Sequence, residues 1–436
     1  MGDSRPVLAD ARPASNRQDH ACRGSGRRVA RVCITRPQAR WWRSPLAEYP
    51  GFASMRLIHT ADLHLDMCFA SAHIPPGFGN RRRQSLRDVF HGIVQRAGEW
   101  PADTLLIAGD LFDLDRVSRD TVRFLQAEFK SIQHVPVCIA PGNHDPYVQG
   151  SPYAEETWPD NVMIFEQPEW HSRVLDEQGT TVHGFGFDGP DVSRNPFGRF
   201  PPIQLGAVHV AVAHGSALGH QPPGKESYAP FDPAAASVNG LRYLALGHFH
   251  AYTPIKGDFP TVMAYSGAPE GHGFNETGMR HFLEVEIDAE NVRITPVASS
   301  RSVYLTASID CSPFTSSQDV VNAIRALPRE EGPGTVARIT LVGTGAPEWR
   351  PELDAIYDAV APAFEHILLE DETEAVEDFE ALAQQQTSLG GFVTRLNAEM
   401  SDNKKGRKHT MLARARELGL AAFRNRPITF QGLERD

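Results

Sequence analysis

Five short polar clusters, each directly after an apolar run, constrain the fold of this chain more than anything else in it. They are Asp62-x-His64, Gly109-Asp110-x-x-Asp113, Gly142-Asn143-His144-Asp145, His214 and Gly247-His248-x-His250. The runs before them, at 56–60, 104–108, 135–140, 208–213 and 241–246, have the length and apolar content of buried strands. Helical patterns separate the first three. Leu86, Phe90, Ile93, Val94 and Ala97 share one apolar face, and Val122, Leu125, Phe129 and Ile132 mark a second helix. The order β-α-β-α-β predicts a parallel core with right-handed crossovers, whose functional loops gather at the carboxyl ends of the strands. The first three clusters fall at those ends.

Beyond residue 160 the apolar runs shorten, at 182–187, 208–213, 241–246, 261–265, 282–287 and 292–297, and predict a second sheet packed on the first. From 303 the pattern changes: strand-like 303–309, helix-like 320–327, strand-like 336–341, helix-like 353–360 and strand-like 367–369 predict a small α+β domain without clustered His or Asp. Residues 365–380 then hold eight carboxylates and no Lys or Arg. Phe392, Leu396 and Met400 fall at helical spacing, as do Leu412, Ala415, Ala422 and Phe423, although Gly419 interrupts the second set. The expected plan is an extension at 1–54, a main domain at 55–300, the small domain at 301–372, and an acidic linker with a helical segment at 373–436.

A chain of 436 residues is long enough for two or three such units. Its net charge of -11 argues against wholesale coating of nucleic acid, but the charge is uneven: residues 1–54 carry ten Arg, no Lys and four carboxylates. Rich in Pro, Arg and Ser and without apolar periodicity, that extension reads as an unfolded tail or a mis-assigned start ahead of Met55. Arg27-Arg28 precede an apolar stretch at 29–34, but Arg31 interrupts it and it is too short for a signal segment. No apolar run approaches the roughly 20 residues that span a bilayer, so no membrane association is expected. Five scattered cysteines without C-x-x-C spacing suit a reducing compartment and predict a cytoplasmic protein.

The clusters are of metal-ligand type. Extended backbone sets residues i and i+2 on one side, so Asp62 and His64 can offer a carboxylate and an imidazole to one ion. Two neighbouring cations need about seven protein ligands with a carboxylate between them, and mixed imidazole, carboxylate and amide ligation suits manganese, iron or zinc.

Together the five clusters resemble those of the calcineurin-like metallophosphoesterases over residues 56 to about 297. The stretches 59–65, 109–113 and 265–270 are similar to the SbcD and YhaO type, bacterial relatives of a double-strand-break repair nuclease. The resemblance implies an α/β fold: a four-layer α/β/β/α metallophosphoesterase sandwich with a small α+β capping domain and a C-terminal helical tail. Carried onto matching positions, it implies that Asp62, His64 and His250 hold one ion, that Asn143, His214 and His248 hold the other, and that Asp110 bridges them. His144, beside a ligand, would act as the acid at the leaving oxygen. Asp113 would orient His144, with a turn cap as the alternative. The implied cofactors are two divalent ions, Mn2+ first, with Fe2+ or Zn2+ as alternatives.

The implied activity is that of a manganese-dependent DNA exo- or endonuclease in repair, using metal-activated water, with DNA, a coiled-coil SbcC/YhaN-like ATPase and a second copy of the chain as partners. A phosphodiesterase or phosphatase acting on a small molecule or a protein is the rival. The protein-phosphatase branch typically has Arg after the second-motif Asp and Glu closing the third, where this chain has Leu114 and Asp145. A regulatory module without turnover is disfavoured by competent residues at every ligand position. Arg81, Arg82, Arg83 and Arg87 open the first long helix and read either as contacts to nucleic-acid phosphates or as a solvated helix start. His59, His183 and His209 lie within strands and read as core or supporting residues.

Overall fold

The computed structural model describes residues 40–43, 54–69, 76–204, 206–345, 351–375, 378–403 and 406–423. Its strands through the main domain are β1 (Arg40–Arg43), β2 (Met55–Thr60), β3 (Thr104–Ile107), β4 (Val137–Ile139), β5 (Val162–Ile164), β6 (His171–Val174), β7 (Thr181–Phe185), β8 (His209–His214), β9 (Leu241–Gly247), β10 (Thr253–Pro254), β11 (Val262–Tyr265), β12 (His281–Ile287) and β13 (Asn291–Ala298). They form a seven-stranded sheet ordered β1-β13-β12-β2-β3-β4-β5 and a six-stranded sheet ordered β10-β11-β9-β8-β7-β6. Within the first, β2 to β5 run parallel; within the second, β7, β8, β9 and β11 do.

The side-chain alternation of the strands sorts the apolar residues into three cores. Ile58, Leu105, Ile107, Val137 and Ile139 face helices α1 (Pro76–Glu99) and α2 (Arg119–Ser131), where they meet Leu86, Phe90, Ile93, Leu125 and Phe129. Leu57, Leu106 and Cys138 point the other way and meet Val210, Val212, Tyr243 and Ala245 of the second sheet. Ala211, Ala213, Leu244 and Leu246 bury the outer face of that sheet against Phe187, Phe197 and Phe231. This is the four-layer α/β/β/α sandwich, with a thin outer layer: its helical pieces are Pro196–Arg199 and Pro233–Ala236, under long loops.

Two features depart from the sequence reading. β12 and β13 join the first sheet, not the second, because the chain after β11 returns antiparallel to β2 and pairs Leu283 with His59. Apolar periodicity identifies a strand but not its partner. Within the extension expected to be unfolded, Arg40–Arg43 pairs with β13 as an edge strand; residues 1–39 and 44–53 of that expectation lie outside the described residues.

The small domain is strand-helix-strand-helix-strand, with Ser302–Asp310, Gly334–Val342 and His366–Asp371 parallel and helices Ser317–Arg325 and Leu353–Val360 between them. Strand and helix alternate here in the order expected from the sequence. Ser316 and Asp319 form a reciprocal capping box at the first helix. Further on, Ser388–Asp402 and Arg407–Phe423 pack together around Leu382, Val393 and Leu420. Gly419, a break by sequence, is where a Cβ would collide with the Phe392 ring at 2.1 Å, so the glycine lets the second helix approach the first. Among the described residues no helix is long and apolar enough to cross a membrane.

One of the four arginines read as a basic helix start does something else. Arg82 is fully buried, its Nη1 donating to Glu270 Oε1 at 2.6 Å and its Nη2 to the Gly271 carbonyl at 2.8 Å. Glu270 in turn accepts from the Arg301 and Ser302 amides, at 2.7 and 3.1 Å, where the small domain begins. Arg82→Met leaves a buried carboxylate without its cation, so urea unfolding is expected to show a loss of about 3–5 kcal/mol. Removing both charges, with Glu270→Leu as well, is expected to restore part of it. A single variant as stable as wild type would contradict the buried pair.

Candidate metal centre

All five clusters converge where the carboxyl ends of β2, β3 and β4 meet those of β8 and β9. The backbone there is unusual. Of six non-glycine residues with positive φ among those described, four are expected ligands: Asp62 (55°), His64 (48°), Asp110 (53°) and His248 (106°). Each such conformation costs about 1–3 kcal/mol and persists only where its surroundings enforce it. Glycines make the close approach: a Cβ on Gly142 would lie 2.4 Å from Asp110 Oδ1, and one on Gly247 would lie 1.8 Å from the Ala108 carbonyl.

Asp110 sits at the centre. Its Oδ2 is 3.7 Å from His64 Nε2 and 3.4 Å from His214 Nε2. His214 Nδ1 donates to the Ala108 carbonyl at 2.9 Å, which turns its Nε2 inward, 2.9 Å from Asn143 Oδ1. His248 Nε2 donates to the Glu226 carbonyl at 3.0 Å, so Nδ1 is the nitrogen left unprotonated in the neutral ring and able to bind an ion. Its ring lies 5.2 Å from that of His214. Asp62 accepts from the His248 amide through both oxygens, at 3.0 and 3.1 Å, and is fully buried.

On the His64 side, outer carboxylates orient the imidazoles. Asp113 Oδ1 is 2.7 Å from His64 Nδ1, and Glu276 Oε1 is 2.7 Å from His250 Nδ1. A carboxylate on one ring nitrogen fixes the tautomer and leaves the other nitrogen free to bind an ion. Asp113 also lies 3.3 Å from His144 Nδ1, so it serves both imidazoles and approaches His64 more closely than the residue it was expected to orient. His144 is half-exposed, and its amide donates to Asp110 Oδ1 at 2.9 Å.

The donor set fits divalent cations. His64 Nε2 is buried without a hydrogen-bond partner, and Asp62, Asp110 and His214 bring ligand atoms within 4.8 Å of one another. Burial alone would lower the basicity of His64, but the Asp113 hydrogen bond and the charges of Asp110, Asp113 and Asp62 outweigh it and raise its pKa to about 9. Burial raises the pKa of the Asp62 carboxyl against the lowering pull of the His250 and His214 imidazoles, and a bound cation would lower it.

Three residues given no ligand or catalytic role from the sequence support the centre. Asp145 is fully buried and accepts from the amides of Asp110, Leu111 and Gly142 at 2.7–2.9 Å and from the Tyr153 hydroxyl at 2.8 Å, tying two clusters together. Glu276 orients His250, and His272 stands beside both His64 and His250. The last two lie in the loop after β11, where no apolar run marks them. His59 is a core residue bonded to the Tyr243 hydroxyl at 2.8 Å, and His183 and His209 stack and bond to each other at 3.0 Å, away from the centre. Of the remaining helix arginines, Arg83 bonds to Asn80 and Arg87 to Thr121, and Arg81 lies over the Phe78 ring.

A family model described as calcineurin-like phosphoesterase matches residues 55–252. Among curated proteins, the chain is 27% identical over 305 residues to an uncharacterized metallophosphoesterase, YhaO, of Bacillus subtilis (strain 168), covering 68% of this chain and 73% of that one. It is 24% identical over 270 residues to the DNA double-strand break repair protein Mre11 of Methanosarcina acetivorans, covering 59% of this chain and 41% of the relative, so it spans less than half of that protein. A dimetal phosphatase from Danio rerio aligns in structure with a TM-score of 0.36 at 11% identity, covering 56% of this chain and 96% of the other.

Proposed function

Residues 55–252 match the calcineurin-like phosphoesterase domain, and on that premise we propose that the chain is a two-metal phosphodiesterase that cleaves DNA with manganese as the working ion. The observation that carries the reading is the position of Asp110, whose one carboxylate oxygen lies within 3.7 Å of imidazoles from both ligand groups. Asp62, His64 and His250 would hold one ion, Asn143, His214 and His248 the other, and Asp110 both. When bound, such a pair supplies an activated water and offsets the negative charge that builds up on phosphorus.

The chain's own residues do the rest. His144, half-exposed beside Asp110 and steadied by Asp113, is the group able to give a proton to the leaving oxygen. The Asp113 hydrogen bond raises its pKa against a smaller lowering by burial, which favours the protonated ring. Asp145 holds the backbone of two clusters, so Asp110 and Asn143 keep their places as substrate enters and leaves.

DNA as substrate is supported by the break-repair protein among the relatives. Work in the cytoplasm, beside a coiled-coil ATPase or as a homodimer, belongs to the same reading; the tail supports a partner, since Met411 and Phe423 remain exposed on a helical pair that has its own small core. The test is digestion of labelled single- and double-stranded DNA beside phosphomonoesters and cyclic nucleotides. Manganese-dependent DNA cleavage that a chelator abolishes is expected. Turnover of monoesters or cyclic nucleotides with intact DNA would overturn the DNA reading.

A further inference from the structure

Beside His64 and His250 stands a third imidazole that no sequence cluster contains. His272 lies in the loop between β11 and β12, its ring centroid 5.2 Å from each of the other two, and the ligand-capable atoms of the three lie within 4.8 Å of one another. Its side chain is only 7% exposed, and its Nε2 is buried with no hydrogen-bond partner, like the Nε2 of His64. Buried polar atoms in folded proteins are almost always satisfied, and each exception asks for a missing partner. Two orphaned imidazole nitrogens in one cluster ask for the same one, a cation.

The loop is built to hold His272 there. Just before it, Gly271 gives its carbonyl to the buried Arg82, and Glu270 is locked between Arg82 and the amides of Arg301 and Ser302. Just after it, Glu276 accepts from the His272 amide at 3.0 Å with one oxygen while the other orients His250. One carboxylate thus fixes both histidines. Its Oε2 also lies 3.7 Å from His272 Nδ1, on the side away from the orphaned nitrogen.

We infer that His272 is a further ligand to the ion held by Asp62, His64 and His250. That ion then has three imidazoles, while the one beside Asn143 has two, His214 and His248. A site richer in imidazole favours cobalt, iron or zinc over manganese more strongly than its neighbour does, so the two positions differ in metal preference. The inference rests on the two-metal reading above.

The test is Co2+ binding by calorimetry and visible absorption, with thermal melting in chelator and in Co2+, on the full chain and on His272→Ala and His272→Leu. Wild type is expected to take up two ions. Each variant should keep one at wild-type affinity, weaken the other by about 10–100-fold or more, and change the Co2+ ligand-field bands. In chelator the Leu variant should melt with wild type, because Nε2 has no partner to lose; in Co2+ it should melt lower. Two ions with unchanged affinity and bands in a variant overturn the inference alone. So does a variant that melts as much lower in chelator as in Co2+, which marks a structural histidine. Fewer than two ions in wild type overturn the two-metal reading and the inference together.

Discussion

Asp110→Asn is expected to cost occupancy of both ions and to lower turnover by about 10³-fold or more. An amide offers one good acceptor oxygen and no charge, whereas one oxygen of the carboxylate lies 3.7 and 3.4 Å from imidazoles of the two ligand groups. Losing an outer partner of a ligand already lowers metal affinity by about 10–100-fold, and losing the only charge shared by two cations exceeds that. The replacement tests charge rather than shape. Asn tolerates the positive φ of 53° that Asp110 adopts, and the backbone bond from residue 110 to Asp145 remains. Metal analysis after dialysis, with the shift in melting temperature on adding Mn2+, reads the result. The contrasting Asp62→Asn should weaken mainly one ion.

His144→Ala should do the reverse: keep both ions and lose turnover by roughly 10²–10⁴-fold, the usual contribution of a general acid. Its imidazole is half-exposed beside the His64 ring, 4.7 Å between centroids, and the hydrogen bond that its backbone amide gives to Asp110 is one that alanine retains. The sign of the pH effect follows. A group whose pKa is raised stays protonated up to that pKa and is lost as an acid above it, so the alkaline limb of the kcat profile should be present in wild type and absent in the variant. Bound cations pull the pKa back down, so the prediction concerns the presence of the limb, not its position. Loss of an ion in the variant, or an unchanged rate, would remove His144 from that role.

The sequence made most of the centre visible because the fold delivers it by a simple rule. A buried strand is a continuous apolar run, and in a parallel sheet the polar residues just past its carboxyl end meet those of its neighbours. Asp62, Asp110, Asn143, His214 and His248 were all legible in that way. Glu276 and His272 were not, since they arrive on a loop whose course is set by Arg82 and Glu270, far apart in sequence and joined only in the folded chain. Nor could the sequence say which arginine of α1 points inward: four lie within seven residues, and only Arg82 is buried. The sheet membership of β12 and β13 was hidden for the same reason, because pairing depends on the path of the return and not on the strand's own pattern. Gly419 misled because a helix-weakening residue is also the smallest, and close packing against Phe392 requires that size.

The most direct test of the two-metal centre is anomalous scattering from manganese-soaked crystals of the full chain. Two peaks are expected on either side of the Asp110 carboxylate, one among Asp62, His64 and His250 and the other among Asn143, His214 and His248. A single peak, or two peaks that Asp110 does not touch, would contradict the bridged pair from which the proposed chemistry follows.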